Sequence, residues 1–130
     1  MSSWPGPISA ITLFVEDLDG ARTFYRDVLG LAVHYEDPDS VVFAFGSTLV
    51  NLLVTSAAPE LIEPATVAAA DGGNRFQITV DVDDVDAMCE RLTARGVALL
   101  NGPVDRPWGV RTAAFQDPAR HIWELAQPTG

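Results

Sequence analysis

The sequence contains an internal repeat, and this repeat constrains the fold more than any other feature. The segment VEDLDGA, which begins at Val15, is similar to VDDVDAM, which begins 67 residues later at Val82. Each copy follows a strand-like apolar run, at residues 8–15 and 76–82, and each opens a stretch with helical spacing. Two supersecondary units of the same kind, arranged in tandem, are therefore predicted.

Local signals set the limits of both predicted helices. Asp17 and Asp84 stand where a side-chain carboxylate can accept hydrogen bonds from the free N–H groups of a first helical turn. Gly30 and Gly96 stand at the predicted ends, because glycine can adopt left-handed backbone angles without a Cβ clash. Apolar stripes at steps of three and four support the helices: Ala21, Phe24, Tyr25, Val28 and Leu29; then Val85, Met88, Cys89 and Leu92.

Strand-like pairs follow each helix, and turn residues separate the members of each pair. The predicted strands are 41–45 and 48–55 around Gly46, then 111–116 and 121–126 around Asp117 and Pro118. The chain therefore predicts an α+β fold in which a strand, a helix and further strands occur twice.

The domain organisation follows from the repeat. The segment 56–74, rich in Ala, Pro and Gly, predicts an irregular linker between a first module at 8–55 and a second at 75–127. Both modules are assigned to one domain spanning 1–130, since a chain of this length can bury a sizeable core.

Composition indicates a globular protein of a reducing compartment. Apolar residues make up 48% and charged residues 20%, and the single cysteine, Cys89, cannot form an internal disulfide. The N-terminal residues 1–7 lack the pattern of a secretory signal, and no apolar segment is long enough to span a bilayer. A cytoplasmic location is expected. Cys89 lies on an apolar helix stripe, so we expect a buried, inert thiol rather than a nucleophile.

The net charge of −10 argues against two classes of partner, because an acidic chain is repelled by nucleic acid and by anionic membrane surfaces. The same charge has two further interpretations, which stay open. It attracts a cationic ligand, or it simply keeps the protein soluble.

Several segments, taken in order, resemble the glyoxalase and bleomycin-resistance group of the vicinal oxygen chelate superfamily. The first is residues 15–31, which contain the series FYRDVLGL; the second joins Val82 to residues 95–97. The third is Asp117 and Pro118 followed by the series IWEL at 122–125. The resemblance covers nearly the whole chain. It implies two βαβββ modules that form a curved mixed sheet with a concave pocket, and a homodimer.

Metal-dependent enzymes of this superfamily use a divalent ion as a Lewis acid, held by residues on the first and last strand of each module. The resemblance places those four positions at Ala10, Asn51, Gln77 and Glu124. Ala10 has no donor atom, Asn51 has only an amide oxygen, and Gln77 is a weak ligand. The only two histidines, His34 and His121, match none of the four positions. The expectation is therefore no metal cofactor, with a divalent ion held by Gln77 and Glu124 as the alternative.

The same strands have one apolar face and one mixed face. Ala10, Thr12 and Phe14 share a face, as do Gln77, Thr79 and Asp81, whereas the opposite faces are uniformly apolar and should pack beneath the helices. A small-molecule pocket needs the mixed kind of face.

The segment 106–111 resembles the bleomycin-resistance branch, whose members sequester a cationic aromatic drug without metal or chemistry. Trp108 in this segment is predicted to stack on a planar ligand. Alternatively, it closes the open end of the concave pocket or contacts a second subunit. Arg120 stands where the family usually has glycine, so the turn after Pro118 is expected to differ locally.

The sequence thus predicts a metal-independent protein that binds a small molecule, cationic or aromatic, in the manner of a drug-sequestering protein. Its predicted ligand-binding residues are Asn51, Gln77, Trp108 and Glu124. The alternative is a lyase, isomerase or dioxygenase that uses a metal, or that uses Glu124 as its catalytic acid or base.

Overall fold

The computed structural model describes residues 4–129 and contains two four-stranded mixed sheets with few helices, which confirms the predicted α+β fold. Residues 1–3, part of the N-terminal stretch considered above, lie outside the described residues. The strands are β1 (Ala10–Val15), β2 (Val33–Asp37), β3 (Ser40–Phe45), β4 (Thr48–Val54), β5 (Gln77–Asp81), β6 (Leu99–Asp105), β7 (Val110–Gln116) and β8 (Ile122–Pro128). The α-helices are α1 (Leu18–Thr23), α2 (Pro59–Ile62) and α3 (Val85–Ala94). No helix within residues 4–129 is both long enough and apolar enough to cross a membrane.

The chain divides into two compact units, and the division falls between Val67 and Ala68, inside the segment 56–74. The first sheet has the strand order β1-β4-β3-β2, and the second has the equivalent order β5-β8-β7-β6. In each sheet the strand before the helix pairs in parallel with the last strand of the same unit, and the other pairs are antiparallel.

The predicted helix limits are confirmed. Asp17 Oδ1 accepts a 3.0 Å hydrogen bond from the backbone N–H of Gly20, and Asp84 Oδ1 accepts one of the same length from Ala87. Gly30 and Gly96 end the two helical segments with φ angles of 75° and 87°. These are left-handed values that glycine adopts without a steric penalty.

The first helical segment departs from the single α-helix that the apolar spacing predicts. After α1 the chain forms a π-helical turn over Phe24–Val28, in which the N–H of Leu29 donates to the carbonyl of Phe24 at 3.0 Å. This wider turn accommodates two adjacent aromatic rings, with Phe24 edge-on to Tyr25 and Tyr25 stacked on Phe43 at 5.6 Å. Tyr25 is fully buried, so it anchors the helical segment on the first sheet.

Each sheet buries one face, as the alternation predicts. In the first unit Leu13 and Val15 are buried together with Phe43, the ring on which Tyr25 stacks. In the second unit the largest buried side chains are Trp123 and Phe115, which are paired across β7 and β8. Covering these apolar faces stabilises the fold, and it leaves the opposite faces free to carry polar groups.

Two irregular positions shape the second sheet. A bulge interrupts the pairing of β6 with β7 between Asn101 and Val104, where Gly102 has a φ of 82°. Arg120 has a φ of 73°, the only positive φ of a non-glycine among residues 4–129. Arg120 therefore adopts the turn geometry that glycine favours. The N–H of Arg120 donates to the carbonyl of Asp117 at 2.9 Å, and this turn holds arginine in a conformation that favours glycine.

Candidate functional site

One face of the second sheet collects polar side chains around Glu124. In the strand register Glu124 pairs with Thr79 on β5 and with Ala114 on β7. Directly paired residues project to the same side of a sheet, as do residues two apart on one strand. We call this surface the Glu124 face; it comprises Gln77, Thr79, Asp81, Asn101, Thr112, Ala114, Ile122, Glu124 and Ala126.

Glu124 is held in place from the neighbouring strand. The hydroxyl of Thr79 donates a 2.9 Å hydrogen bond to Oε1 of Glu124. The second carboxylate oxygen, Oε2, has no partner among residues 4–129. Glu124 is half-buried and Thr79 is exposed, so the carboxylate is oriented by the sheet and still open on one side.

Gln77, the other predicted polar ligand of this unit, lies one step further along the same face. It pairs with Ile122, two residues before Glu124, and its side chain is exposed. Gln77 and Glu124 therefore share a surface, as the alternation of β5 predicts.

A second polar cluster lies on the Glu124 face where β6 turns into β7. Arg106 Nε donates to Thr112 Oγ1 at 2.9 Å, and its Nη2 lies 3.4 Å from Asn101 Oδ1. Both neighbours belong to the Glu124 face, because Asn101 pairs with Ala114 and Thr112 lies two residues before it on β7. The guanidinium group therefore reaches the same surface as the carboxylate of Glu124.

Trp108 occupies the turn between β6 and β7. Its indole is 70% exposed, and the guanidinium carbon of Arg106 lies 5.9 Å from the ring centroid. This distance is within the range of a cation–π contact, which places the indole beside the Arg106 cluster. An exposed indole can offer its remaining surface to a planar molecule.

The opposite face of the second sheet is covered by α3 and is closed to ligands. Arg111 forms ion pairs with Asp86 on α3 and with Asp105 on β6, both at 3.0 Å, and its pKa is raised mainly by the hydrogen bond with Asp86. The backbone N–H of Val85 donates to Gln127 Oε1 at 2.8 Å. Arg111 and Gln127 are paired in the register, so the helix rests on their side of the sheet.

Cys89 is buried on the inner side of α3, as predicted, and is 5% exposed. Burial, together with the nearby charge of Asp86, raises the pKa of its thiol. Both effects disfavour the thiolate, which is the nucleophilic form.

Asn51 belongs to the first unit, where it pairs with Thr12 on β1 and Val42 on β3. Its face is opposite to the one that carries Phe43, so the mixed face predicted from β1 contains Asn51 as well. Among residues 4–129, Asn51 Oδ1 is the buried side-chain atom that lacks a hydrogen-bond partner. A buried acceptor without a donor is costly, and so it marks a place where a ligand group can gain a hydrogen bond.

The two histidines serve other roles. His121 precedes β8, and its Nδ1 lies 2.9 Å from Oδ2 of Asp117, whose side chain is 1% exposed. The backbone N–H of His121 also donates to Asp117 Oδ1 at 2.8 Å, so this pair braces the turn. His34 lies on β2 and is exposed.

The metal site implied by the family resemblance finds little support in the donor chemistry. No group of three or more His, Cys, Asp or Glu side chains within residues 4–129 is arranged to hold a metal ion. On the Glu124 face the carboxylate of Glu124 is bonded to the hydroxyl of Thr79, and the neighbouring residue at a family ligand position is Gln77, which offers only an amide. These residues do not fit the three or four ligands that a catalytic metal requires.

The structure thus places three of the four predicted ligand residues, Gln77, Trp108 and Glu124, in the second unit and Asn51 in the first. Sequence reasoning missed the contribution of Arg106 and of its anchors, Thr112 and Asn101. A signal for Arg106 was present, since it lies two residues before Trp108 in the segment already singled out. Its hydrogen bonds depend on the register of β6 against β7, which the sequence does not display.

Comparison with known proteins identifies the family. The model of the Glyoxalase/Bleomycin resistance protein/Dioxygenase superfamily matches residues 8–125. The chain belongs to this superfamily, as the sequence motifs predict.

Three relatives illustrate its range. The uncharacterized protein YraH of Bacillus subtilis (strain 168) is 30% identical over 119 residues, which cover 88% of this chain and 93% of YraH. The antibiotic binding protein TnmS3 from Streptomyces sp. CB03234 is similar in structure, with 28% identity, a TM-score of 0.76, and coverage of 98% of this chain and 99% of TnmS3. Lactoylglutathione lyase from Agrobacterium tumefaciens has 26% identity, a TM-score of 0.73, and coverage of 95% and 94% of the two chains. A binding protein and an enzyme thus share this fold, and the fold does not decide between them.

Proposed function

We propose that this protein binds an aromatic small molecule on the Glu124 face without a metal ion. The observation that carries the proposal is the Thr79–Glu124 hydrogen bond, which orients a half-buried carboxylate next to the exposed side chains of β5. A preorganised acceptor of this kind fixes the orientation of a ligand that donates a hydrogen bond.

Each residue of the proposed site makes a different contact with the ligand. Glu124 accepts a hydrogen bond through Oε2, Gln77 offers an amide next to it, and Trp108 supplies a planar apolar surface. In the first unit, Asn51 is proposed to accept a hydrogen bond from a ligand group on its own sheet face, because its buried Oδ1 lacks a donor. The similarity to the antibiotic binding protein TnmS3 supports a sequestering role of the drug-resistance type.

The binding test is a titration of the full chain with a panel of cationic, neutral and anionic aromatic compounds, followed by intrinsic tryptophan fluorescence. The variant Trp108→Ala should weaken the strongest ligand of the panel by about tenfold, the loss expected when one aromatic contact is removed. The control Trp4→Ala removes an indole of the first unit that is 93% exposed, and it should change affinity less than twofold. Equal affinity in both variants would remove Trp108 from the site, and a panel without a single ligand would contradict a binding role.

Metal independence is part of the proposal and has its own test. Untagged protein is incubated with zinc, nickel, manganese or ferrous iron, desalted and analysed by elemental mass spectrometry. Less than one tenth of an equivalent of retained metal is expected on the basis of the donor set. Retention of one equivalent would contradict this part of the proposal and favour a metal-dependent lyase, isomerase or dioxygenase.

The alternative is an enzyme that uses Glu124 as an acid or base. It is favoured by the same hydrogen bond, since Thr79 occupies Oε1 and leaves Oε2 available for proton transfer, and by the similarity to a lactoylglutathione lyase. The test compares Glu124→Gln with the native chain on every compound of the panel that is consumed. Loss of turnover with retained binding would establish the enzyme; unchanged turnover would exclude Glu124 as the proton-transfer group.

We also propose a cytoplasmic homodimer. The outer strand β5, whose Gln77, Thr79 and Asp81 are exposed, supplies polar surface of the kind that subunit contacts use. Light scattering coupled to gel filtration should give twice the 14.0 kDa mass of one chain. A mass of one chain at micromolar concentration would contradict the dimer.

A further inference from the structure

The charge environment of Arg106 differs from that of the arginines that form ion pairs. Arg22, Arg26 and Arg111 each pair with at least one carboxylate at 2.7–3.0 Å. Arg106 pairs with no carboxylate within residues 4–129, although the chain carries 18 acidic residues. Its hydrogen bonds go to the neutral oxygens of Thr112 and Asn101.

This arrangement is notable because an acidic residue stands next to Arg106 in the chain. Asp105 directs its carboxylate to Arg111 at 3.0 Å, and Arg111 lies on the side of the sheet covered by α3. Adjacent strand residues point to opposite faces, so Arg106 reaches the Glu124 face while Asp105 does not. Within the described residues Arg106 therefore forms no ion pair on the surface proposed to bind a ligand, although Asp81 and Glu124 also lie on that face.

The two anchors of Arg106 also select which edge of its guanidinium group stays open. Nε donates to Thr112, and one of the two N–H bonds of Nη2 is directed to Asn101. The Nη1 group and the second N–H of Nη2 have no partner within residues 4–129. Two parallel N–H bonds of this kind match the two oxygens of a carboxylate.

The open guanidinium edge and the carboxylate of Glu124 are neighbours on the sheet. Thr112, which anchors Arg106, is two residues from Ala114, the cross-strand partner of Glu124. Two residues along a strand correspond to roughly 7 Å. No ion pair joins the two side chains. The face thus presents the guanidinium of Arg106 and the carboxylate of Glu124, each with unused hydrogen-bonding capacity, and a second carboxylate, Asp81, on β5.

We infer that the ligand of the Glu124 face is an aromatic carboxylic acid, whose carboxylate is bound by the open edge of Arg106 and whose ring lies against Trp108. A donor group on the same ligand, such as a hydroxyl or an amino group, is then within reach of Glu124. This inference rests on the proposed binding function and names its substrate class. It departs from the cationic ligand that the net charge of −10 favours, because a contact with a fixed guanidinium outweighs a long-range field that salt screens.

The experiment uses three probes that share one ring system: 2-naphthoate, 2-naphthamide and 2-naphthylmethylammonium. Each is titrated into the full chain and followed by calorimetry at fixed ionic strength. The native protein should bind naphthoate about tenfold more tightly than naphthamide, as expected for a charged hydrogen-bonded pair, and should bind the ammonium compound most weakly.

Variants assign this preference to Arg106. Arg106→Gln should reduce the acid-to-amide ratio to below twofold and leave the affinity for naphthamide nearly unchanged. The matched control is Arg91→Gln on the exposed side of α3, which changes the net charge equally and should keep the ratio. Thr112→Val preserves the arginine but removes its anchor, and it should lower the ratio several-fold. This variant keeps the inference testable if Arg106→Gln unfolds.

The outcomes separate this inference from the function on which it rests. Equal affinity for the acid and the amide, or tightest binding of the ammonium compound, would overturn the assignment of Arg106. If the probes still lose affinity in Trp108→Ala, the proposed binding function is retained even though the role of Arg106 is rejected. Absence of binding by all three probes at millimolar concentration would also overturn the inference. The binding function itself would then be tested with the panel of cationic, neutral and anionic aromatic compounds.

Discussion

Thr79 and Glu124, which are 45 residues apart in the sequence, are joined by a 2.9 Å hydrogen bond across the parallel pair β5–β8. The bond lies on the face of the sheet that α3 does not cover, so it contributes little to the packing of the core. Its effect is to fix one carboxylate oxygen and to leave the other one open. This relationship makes it possible to separate binding from folding by mutation.

Replacing Thr79 with Val removes the donor to Glu124 and keeps the shape of the side chain. We expect the free energy of unfolding to change by less than about 0.5 kcal/mol, because Thr79 is exposed and valine favours strands. The affinity for the strongest ligand of the aromatic panel should fall by roughly fivefold, since one net hydrogen bond orients the carboxylate. Urea unfolding and calorimetric titration measure the two quantities. Thr79→Ser keeps the hydroxyl and should retain affinity; equal loss in both variants would show that Glu124 does not need this donor.

Replacing Asn51 with Leu should make the free protein more stable. The buried Oδ1 has no hydrogen-bond partner in the part of the chain that the structure describes, and the neighbours on its face include Leu49 and Leu53. Removing an unsatisfied acceptor should raise the free energy of unfolding by about 1 kcal/mol, measured by urea denaturation. Asn51→Asp is the opposite control and should lower stability, because it adds an uncompensated charge. A destabilised Asn51→Leu variant would indicate that Oδ1 has a donor in solution.

Arg120 offers a second route to higher stability. Its φ of 73° costs an L-residue with a Cβ about 1–2 kcal/mol, whereas glycine adopts this conformation freely. Glycine also gains conformational entropy in the unfolded chain, and this lowers the stability gained from relieving the strain by about 0.4–1 kcal/mol. The net expectation for Arg120→Gly is a gain of about 0.5–1 kcal/mol in the free energy of unfolding. Arg120→Ala keeps the Cβ and should show no gain; an equal gain would assign the effect to the arginine side chain instead.

Several features of the fold were predictable because they depend on local sequence. Asp17 and Asp84 cap helices through bonds to residues three positions away, and Gly30 ends a helix through its own backbone freedom. The strand faces follow from simple alternation, which placed Gln77 and Glu124 correctly on one surface of the second unit.

Other features depend on contacts between distant residues. The π-helical turn at Phe24–Val28 arises together with the stacking of Tyr25 on Phe43, a ring 18 positions further along the chain. Arg106 meets Asn101 only because the bulge in β6 sets the register of that strand against β7. Neither pairing leaves a periodic signal in the sequence, so the binding role of Arg106 emerges only from the structure.

The thiol of Cys89 predicts how stability responds to alkaline pH. Burial raises its pKa in the folded protein, so the folded state holds the proton more tightly than the unfolded chain does. The contribution of this thiol to the free energy of unfolding is fully present below the pKa of an unfolded cysteine, about 8.5. It is lost as the pH rises through the pKa of the folded state. We expect the midpoint of urea unfolding to fall more steeply above pH 8.5 in the native chain than in Cys89→Ala. Parallel pH profiles would contradict this.

The burial of Cys89 also limits its reactivity. A thiol reagent should label the native protein only as fast as the protein opens.

The bulge in β6 has a consequence for how this protein behaves in a crowded solution. β6 is the outer strand of its sheet, and an outer strand ordinarily presents an unpaired row of N–H and C=O groups that invites a strand from another molecule. Here Gly102 lies so close to β7 that an added Cβ would stand 2.7 Å from the Cα of Ala113, and the next residue, Pro103, has no N–H to donate. The bulge at Gly102 interrupts the regular spacing of this row, and Pro103 removes one donor from it. This border of the sheet is thereby protected against edge-to-edge aggregation.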